Sequence, residues 1–232
     1  MGYIIMKMEI SEPRYGISVS DYVYEVLKKN IVAFKLKPGD RISENEISEL
    51  LNVSRTPVRE AFIKLSNEGL VYILPQRGTY ISYIDLDQVE EARFIRESLE
   101  KSVIKLAVKE FPEDVLVYLR KNIEIQKEKI KNKAYSEFLD LDEDFHKAIF
   151  SACNKERTWS FIEQVNSQYK RIRLLSFIAN INWNKTIEQH ERIIEAIEEK
   201  DEIKAEDTMT EHLKKLIIEQ VELKEKYPKY FK

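Results

Sequence analysis

The sequence predicts a mainly α chain of two domains: an N-terminal winged helix-turn-helix, with three helices plus a β-hairpin wing, and a C-terminal antiparallel all-α bundle of about six helices. Three observations carry this prediction. Of five glycines, Gly39, Gly69 and Gly78 fall between Lys37 and Ser82, so sharp turns are concentrated there. From Asp85 to Lys226 there is no glycine and one proline, Pro112, while Lys, Glu, Leu and Ile recur at three- and four-residue spacing, the pattern of packed helices. Near Ser82–Leu86 an alternating, strand-like run gives way to that helical period. The predicted domains are therefore 17–84 and 85–232, with 1–16 as a frayed extension, and 232 residues suffice for two units of roughly 100–150 residues.

The elements come in order. Helix one covers Val19–Phe34 and stops before Lys37-Pro38-Gly39-Asp40, a turn because proline fixes φ and glycine permits positive φ. Ser43-Glu44-Asn45-Glu46 has the form of a capping box, in which Ser43 and Glu46 satisfy each other's free N–H groups, and it opens a second helix running to Leu51. Asn52-Val53-Ser54 is a tight inter-helix turn, since Asn52 tolerates the left-handed region and Ser54 can cap the next helix. Helix three carries Pro57 in its first turn, where a missing N–H is harmless, and ends at Gly69. Val71–Leu74 and Thr79–Tyr83 are β-rich runs joined by Pro75-Gln76-Arg77-Gly78, a hairpin with a basic tip. Behind them lie six helical segments, Leu86–Glu110, Glu113–Lys131, Tyr135–Ala152, Lys155–Ile178, Lys185–Lys200 and Glu202–Lys226, whose short connections imply antiparallel packing.

Composition narrows the class. The single cysteine, Cys153, cannot build a disulfide framework and fits a reducing, cytoplasmic compartment. The apolar patch Tyr3-Ile4-Ile5-Met6 is broken by Lys7 and Glu9 before it reaches the length of a signal-peptide core, and no stretch approaches the ~20 apolar residues of a membrane span. A formal net charge of −3 argues weakly against nucleic-acid binding, so the placement of the basic residues must carry that reading, not their number.

Their placement is informative. Two short helices joined by a three-residue turn, the second opening Arg55-Thr56-Pro57-Val58-Arg59, form a helix-turn-helix. Arg55 and Arg59 are four apart and share one face near the helix N-terminus, the end such motifs present to base edges. Ser54 and Thr56 can hydrogen-bond phosphate oxygens, which position the helix without reading sequence. Val58, Ala61, Phe62 and Leu65 make the opposite, core-facing side. Arg77, beside Gly78 on the hairpin tip, could enter a minor groove.

The run from Leu36-Lys37-Pro38-Gly39-Asp40-Arg41-Ile42-Ser43-Glu44 through Val53-Ser54-Arg55-Thr56-Pro57-Val58-Arg59-Glu60-Ala61 to Glu68-Gly69-Leu70-Val71 closely resembles the GntR family of bacterial transcription regulators. The resemblance implies that Arg55 and Arg59 contact operator DNA, with Gln76-Arg77-Gly78 as the wing. Phe34 and Asn52 stand where the family often has glycine, and Asn45 where some members carry a basic residue.

In the second domain the polar residues on inward stripes matter most. Asp142 and His146 lie on or beside the stripe of Phe138, Leu141, Phe145 and Ile149; His190 shares one with Ile187, Ile194 and Ile197; His212 shares one with Met209, Leu213, Leu216 and Ile217. Buried unpaired carboxylates and imidazoles are costly, so these groups need partners: core hydrogen bonds, or one metal ion shared by all four. Three histidines and an aspartate suit zinc foremost, or nickel, manganese or ferrous iron, with positions left for water or a ligand carboxylate. Arg96 falls within the stripe of Val89, Ala92, Leu99, Val103 and Leu106, so its guanidinium needs a buried acidic partner or an anionic ligand.

The segments around Asp142-Glu143-Asp144-Phe145-His146, Gln189-His190-Glu191-Arg192 and Glu211-His212-Leu213 resemble the FCD effector domain of the FadR subgroup of that family. That resemblance implies metal ligation by Asp142, His146, His190 and His212, and it favours an effector-binding role for Arg96. The expected function is a homodimeric regulator, a repressor in sign, that binds a palindromic operator under control of a small organic acid held at the metal site. It is not expected to be an enzyme. The rival readings are a helical-bundle metalloenzyme, against which there is no clear general base, and a regulator for which the metal is itself the signal.

Overall fold

The computed structural model describes residues 8–179 and 183–232, so the Tyr3–Met6 patch lies outside the described residues. The chain forms two compact units, one comprising residues up to Leu86 together with Tyr227–Lys232, the other Asp87–Lys226.

In the first unit, α1 (Val19–Val32), α2 (Glu44–Leu51) and α3 (Arg55–Asn67) surround one apolar core that includes Val23, Leu27, Ile31, Ile47, Val58, Phe62 and Leu65. Three short strands, β1 (Arg41–Ile42), β2 (Val71–Leu74) and β3 (Gly78–Ile81), form an antiparallel sheet in the order β1-β3-β2, with Arg41 opposite Tyr80 and Leu74 opposite Gly78. The sequence reading missed β1, because a two-residue strand has no period to detect. It also treated the N-terminal segment as frayed, whereas Glu9 exchanges two 2.8 Å hydrogen bonds with the buried Asn30 side chain.

The caps largely explain the boundaries. Ser43 Oγ accepts from Glu46 N at 3.2 Å, but the returning Glu46 carboxylate accepts from the Ser43 hydroxyl at 2.7 Å and not from its backbone N–H. Helix α3 closes through Gly69 (φ 68°), with Leu70 N donating to Leu65 O at 2.9 Å. Helix α1 ends sooner than its periodicity predicts, because Phe34 takes the left-handed region (φ 55°) normally left to glycine. Its ring lies 5.3 Å from that of Tyr230, tilted by 35°. Gly39 (φ 82°) is doubly constrained, since a Cβ there would lie 2.9 Å from the Tyr83 hydroxyl. Gly39→Ala is expected to destabilise the first unit by about 1–2 kcal/mol, measured as a lower melting temperature.

The second unit is a bundle of α4 (Leu86–Lys109), α5 (Glu113–Lys131), α6 (Tyr135–Ala152), α7 (Glu156–Val165), α8 (Ser167–Ile178), α9 (Trp183–Glu199) and α10 (Glu202–Lys226), with α5 packed on α6 and α9, and α9 on α10. The segment expected as one helix over Lys155–Ile178 is two. It breaks at Asn166, whose buried amide donates to Glu143 Oε2 at 3.1 Å, so a tertiary hydrogen bond interrupts an otherwise unbroken pattern. Helix α8 is then buried on nearly all sides, and its Ser167, Gln168, Arg171, Arg173 and Ser176 bring polar groups into the interior. On α4 the inward stripe holds Arg96 as expected but differs elsewhere: Leu106 is 40% exposed, and Arg93 and Glu100 are among the buried residues. Ile217 on α10 also faces outward more than its stripe implied. Among the described residues, no helix is long and apolar enough to cross a membrane.

After α10 the chain returns to the first unit. Residues Pro228–Tyr230 form a 3-10 turn, and Phe231 forms a parallel bridge with Ile84: Ile84 N donates to Tyr230 O at 2.8 Å, and Lys232 N donates to Ile84 O at 3.0 Å. The sequence reading ran the second domain through Lys232, since no local pattern announces this tertiary pairing.

Candidate functional site

In the first unit, the α2–α3 turn is set by Asn52 in the left-handed region (φ 51°, ψ 49°), with Val53 N donating to Ser48 O at 3.0 Å. Burial of Val58, Ala61, Phe62 and Leu65 fixes the roll of α3 and turns Arg55, Thr56 and Arg59 to solvent. Ser54 holds the N-cap position in extended conformation, yet its hydroxyl makes no capping bond. That exposed hydroxyl remains able to serve a ligand at the helix N-terminus. Arg59 lies beside the first residue of α2, donating from Nε to Glu44 Oε1 at 2.9 Å and from Nη2 to Glu44 Oε2 at 3.0 Å.

On the hairpin, Arg77 N donates to Leu74 O at 3.0 Å and Gln76 adopts φ 62°, so the tip turns with Gln76 and Arg77 exposed and Gly78 half-buried. Sequence reasoning missed Arg41. Its guanidinium crosses the start of β3, where a Cβ on Gly78 would come 2.8 Å from Nε, so a second cation stands beside the wing. The Arg41–Tyr80 register that places it there is a cross-strand fact invisible to local reading.

In the second unit, Asp142 and His146 on α6, His190 on α9 and His212 on α10 are buried, and one ligand atom from each lies within 4.8 Å of all the others. The surroundings orient the rings. Glu100 Oε2 sits 2.6 Å from His146 Nδ1, Gln126 Oε1 lies 3.0 Å from His190 Nδ1, and Gln189 Oε1 lies 3.2 Å from His212 Nδ1. One chain of contacts determines a tautomer: Asn122 Nδ2 donates to the Leu141 carbonyl at 3.1 Å, so its Oδ1 accepts from Gln126 Nε2 at 2.6 Å, which turns Gln126 Oε1 toward His190. His190 therefore donates from Nδ1, and its Nε2 lone pair faces inward.

At His146 the nearby group is a carboxylate, 2.6 Å from Nδ1 though not aligned as a hydrogen bond, and its charge favours the proton on that nitrogen. His146 Nε2 and His212 Nε2 stand 3.1 Å apart, two lone pairs facing each other when both Nδ1 atoms carry the protons. Such a contact is repulsive without a cation between the rings. Asp142 adds a further acceptor: its Oδ2 is paired with Arg173, while Oδ1, 3.5 Å from His190 Nε2, has no hydrogen-bond partner among the described residues, nor does His190 Nε2.

Electrostatics keep these groups in ligating form. Burial pushes the His190 pKa down to about 3 and that of His212 well below its usual value, so both are neutral near pH 7. Burial alone would raise the Asp142 pKa, but Arg173, joined at low pH by the imidazoles once they are protonated, outweighs it and holds the carboxyl far below the usual range. Glu143 likewise resists burial, held at about 2 by Lys170, Arg96 and Arg173. It is the hub of the network and was missed as such, although it adjoins Asp142: it accepts from Arg96 Nη1 at 2.9 Å and from Arg173 Nη1 at 2.6 Å.

Arg96 is fully buried, donates from Nε to Glu100 at 2.6 Å, and lies with its guanidinium carbon 5.3 Å and 5.6 Å from the ring centres of Tyr169 and Trp159. Its Nη2 has no hydrogen-bond partner among the described residues. Asn166, Tyr169, Arg171 and Arg173 are all buried, and Asn166, Tyr169 and Arg173 belong to this network. A cavity of about 30 Å³ adjoins His212, with Arg173, Ser176, Thr186, Lys215 and Glu219 on its walls.

Comparison with known proteins agrees with both halves. Residues 19–81 match the family described as bacterial regulatory proteins, gntR family, and residues 91–215 match the FCD domain. The chain is 35% identical over 198 residues to the HTH-type transcriptional repressor RspR of Escherichia coli K12, covering 85% of this chain and 87% of that protein. It is 29% identical over 199 residues to the gluconate operon transcriptional repressor of Bacillus subtilis, covering 83% and 79%. In fold it is similar to E. coli McbR/YncC, with a TM-score of 0.76 at 23% identity over 91% of this chain and 99% of that one.

Proposed function

Since the chain belongs to the GntR family of bacterial transcription regulators and carries an FCD domain, we propose that it binds a palindromic operator as a homodimeric repressor and that a small organic acid at a metal site controls this binding. Repression as the sign of control is supported by two named relatives that are repressors. The metalloenzyme alternative has no support, because both matched domains and the curated relatives are those of transcription regulators.

In this reading, Arg55 and Arg59 reach base edges or phosphates, Ser54 and Thr56 bond phosphate oxygens, and Gln76, Arg77 and Gly78 form the wing over the adjacent groove. The observation that supports the control site is the convergence of one ligand atom each from Asp142, His146, His190 and His212 within 4.8 Å of one another, with a side-chain oxygen within 3.2 Å of each imidazole Nδ1. Asp142, His146, His190 and His212 would hold a divalent ion, zinc foremost, with nickel, manganese or iron as alternatives. When bound, such an ion would supply a Lewis-acidic position for an acid's carboxylate oxygen.

The chain's own groups do the rest. Glu100, Gln126 and Gln189 keep the imidazole protons away from the centre. Arg173 and Lys215 offer positive charge, and Ser176 and Thr186 offer hydroxyls, on the wall of the cavity. Arg96 would contribute its one unpartnered donor, Nη2, or act on the site through Glu100, which holds His146. A cavity of 30 Å³ has room for water but not for an organic acid, so an acid enters only if the residues lining it move. Differential affinity for the displaced form is what would shift the operator-binding equilibrium, and ~1–3 kcal/mol suffices.

The test is titration of the full chain onto DNA from upstream of its own gene, with metal, with chelator, and with a panel of small organic acids. Release by an acid only when metal is present supports the reading. Release by metal alone, with acids inert, would make the metal the signal. Arg59→Ala is expected to weaken operator binding by roughly 10-fold or more while shifting the melting temperature little, because Arg59 lies outside the core; a large stability loss would make it structural.

A further inference from the structure

We propose that Glu44 is a positioning residue for sequence reading, which clamps the Nε–Nη2 edge of the Arg59 guanidinium so that its Nη1–Nη2 end is presented to a guanine. The inference rests on the reading of α3 as the helix that enters the groove. Glu44 is half-buried at the first position of α2, and the Ser43–Glu46 cap fixes the backbone there. The positive end of the helix favours its carboxylate at that position. Arg59 is 68% exposed, so its long side chain depends on this clamp for restraint.

The donor count shows what the clamp leaves. A guanidinium carries five N–H groups in one plane. Glu44 takes the Nε hydrogen and one hydrogen of Nη2, at 2.9 and 3.0 Å. Three remain, and two of them, one on Nη1 and one on Nη2, lie parallel at the far end of the fork. That pair matches the O6 and N7 acceptors on the major-groove edge of guanine.

Charge makes the same point from the other side. A carboxylate beside the DNA-facing surface repels phosphates, so Glu44 lowers indiscriminate affinity. Its gain is orientational: a guanidinium already confined to one pose loses less freedom on meeting a base, and it is withheld from nearby phosphates. The pairing is thus a device for discrimination, and the acid that opens α2 is part of the reading head although it need not touch DNA.

The test uses the full-length chain and duplexes that it selects from a randomised pool. Affinities are measured on the selected duplex and on versions in which each half-site guanine in turn becomes 7-deazaguanine, which lacks the N7 acceptor, for the parent, Arg59→Ala, Glu44→Gln and Glu44→Ala. One replacement is expected to weaken the parent by roughly 10-fold and to leave Arg59→Ala unaffected. At that base Glu44→Ala should lose about 5-fold of the discrimination while still binding duplex at low salt, with Glu44→Gln in between and melting temperatures close to the parent's.

Full discrimination in both Glu44 variants at the Arg59-dependent guanine would overturn the positioning role, even if they bound every duplex more tightly. If the parent selects no preferred sequence, or if no guanine depends on Arg59, the underlying reading fails and the clamp falls with it. Should Glu44→Ala not fold, the isosteric Glu44→Gln carries the comparison alone.

Discussion

Replacing Arg96 with leucine is expected to cost about 3–5 kcal/mol of stability, measured by urea unfolding of the full chain and read on the transition of the helical unit. The loss comes from what is left behind. Glu100 and Glu143 are buried carboxylates that burial would drive toward the neutral form, and Arg96 is prominent among the charges that keep them ionised. Removing it leaves uncompensated charge in a low-dielectric interior, which costs more than the lost attraction. Lys170 and Arg173 still serve Glu143, whereas Glu100 falls back on His146, the other main partner that lowers its pKa. Arg96→Leu combined with Glu100→Leu should therefore recover part of the loss. A change below about 1 kcal/mol, joined to a lost response to organic acids, would instead show that Arg96 works chiefly on the effector.

Saturating divalent metal is expected to stabilise the parent by about 2.7 kcal/mol at a hundredfold excess over its dissociation constant. His146→Ala, His190→Ala and His212→Ala should each abolish most of this gain, read by melting with and without metal and by metal content after gel filtration. The three differ in their side effects. Removal of His146 frees Glu100 from one partner, while removal of His190 leaves Gln126 Oε1 without its donor, so both variants should also be less stable than the parent in chelator. Unchanged metal content in any one of them strikes that residue from the ligand set.

Much of this arrangement is legible in the sequence because it is local. Ser43 and Glu46, Asn52, and Gly69 mark helix ends through short-range hydrogen bonds and backbone preferences, and the structure has the helices end there. The inward facing of the three histidines follows from helical period alone, and all are buried. What escaped depends on contacts across the fold. The strand β1 exists only through its pairing with β3, and the break at Asn166 answers to Glu143 on another helix. The roles of Glu100 and Gln126 emerge only when α4 and α5 are set against α6 and α9. The outward turn of Leu106 has the same origin, because Arg96 and Glu100 take the inner face of α4 to meet Glu143 and His146 there. Apolar patterning cannot forecast a helix whose interior stripe is largely ionic.

The bridge between Ile84 and Phe231 gives the polypeptide an unusual topology, in which the whole helical bundle is a long excursion between two neighbouring residues. The segments that lead into and out of it are hydrogen-bonded together like the neck of a drawstring bag, through Ile84, Tyr230 and Lys232. A reporter or purification tag fused after Lys232 would accordingly burden the DNA-reading half. Severing the chain just past Lys226 would strip a cover from Ile84 and Phe34.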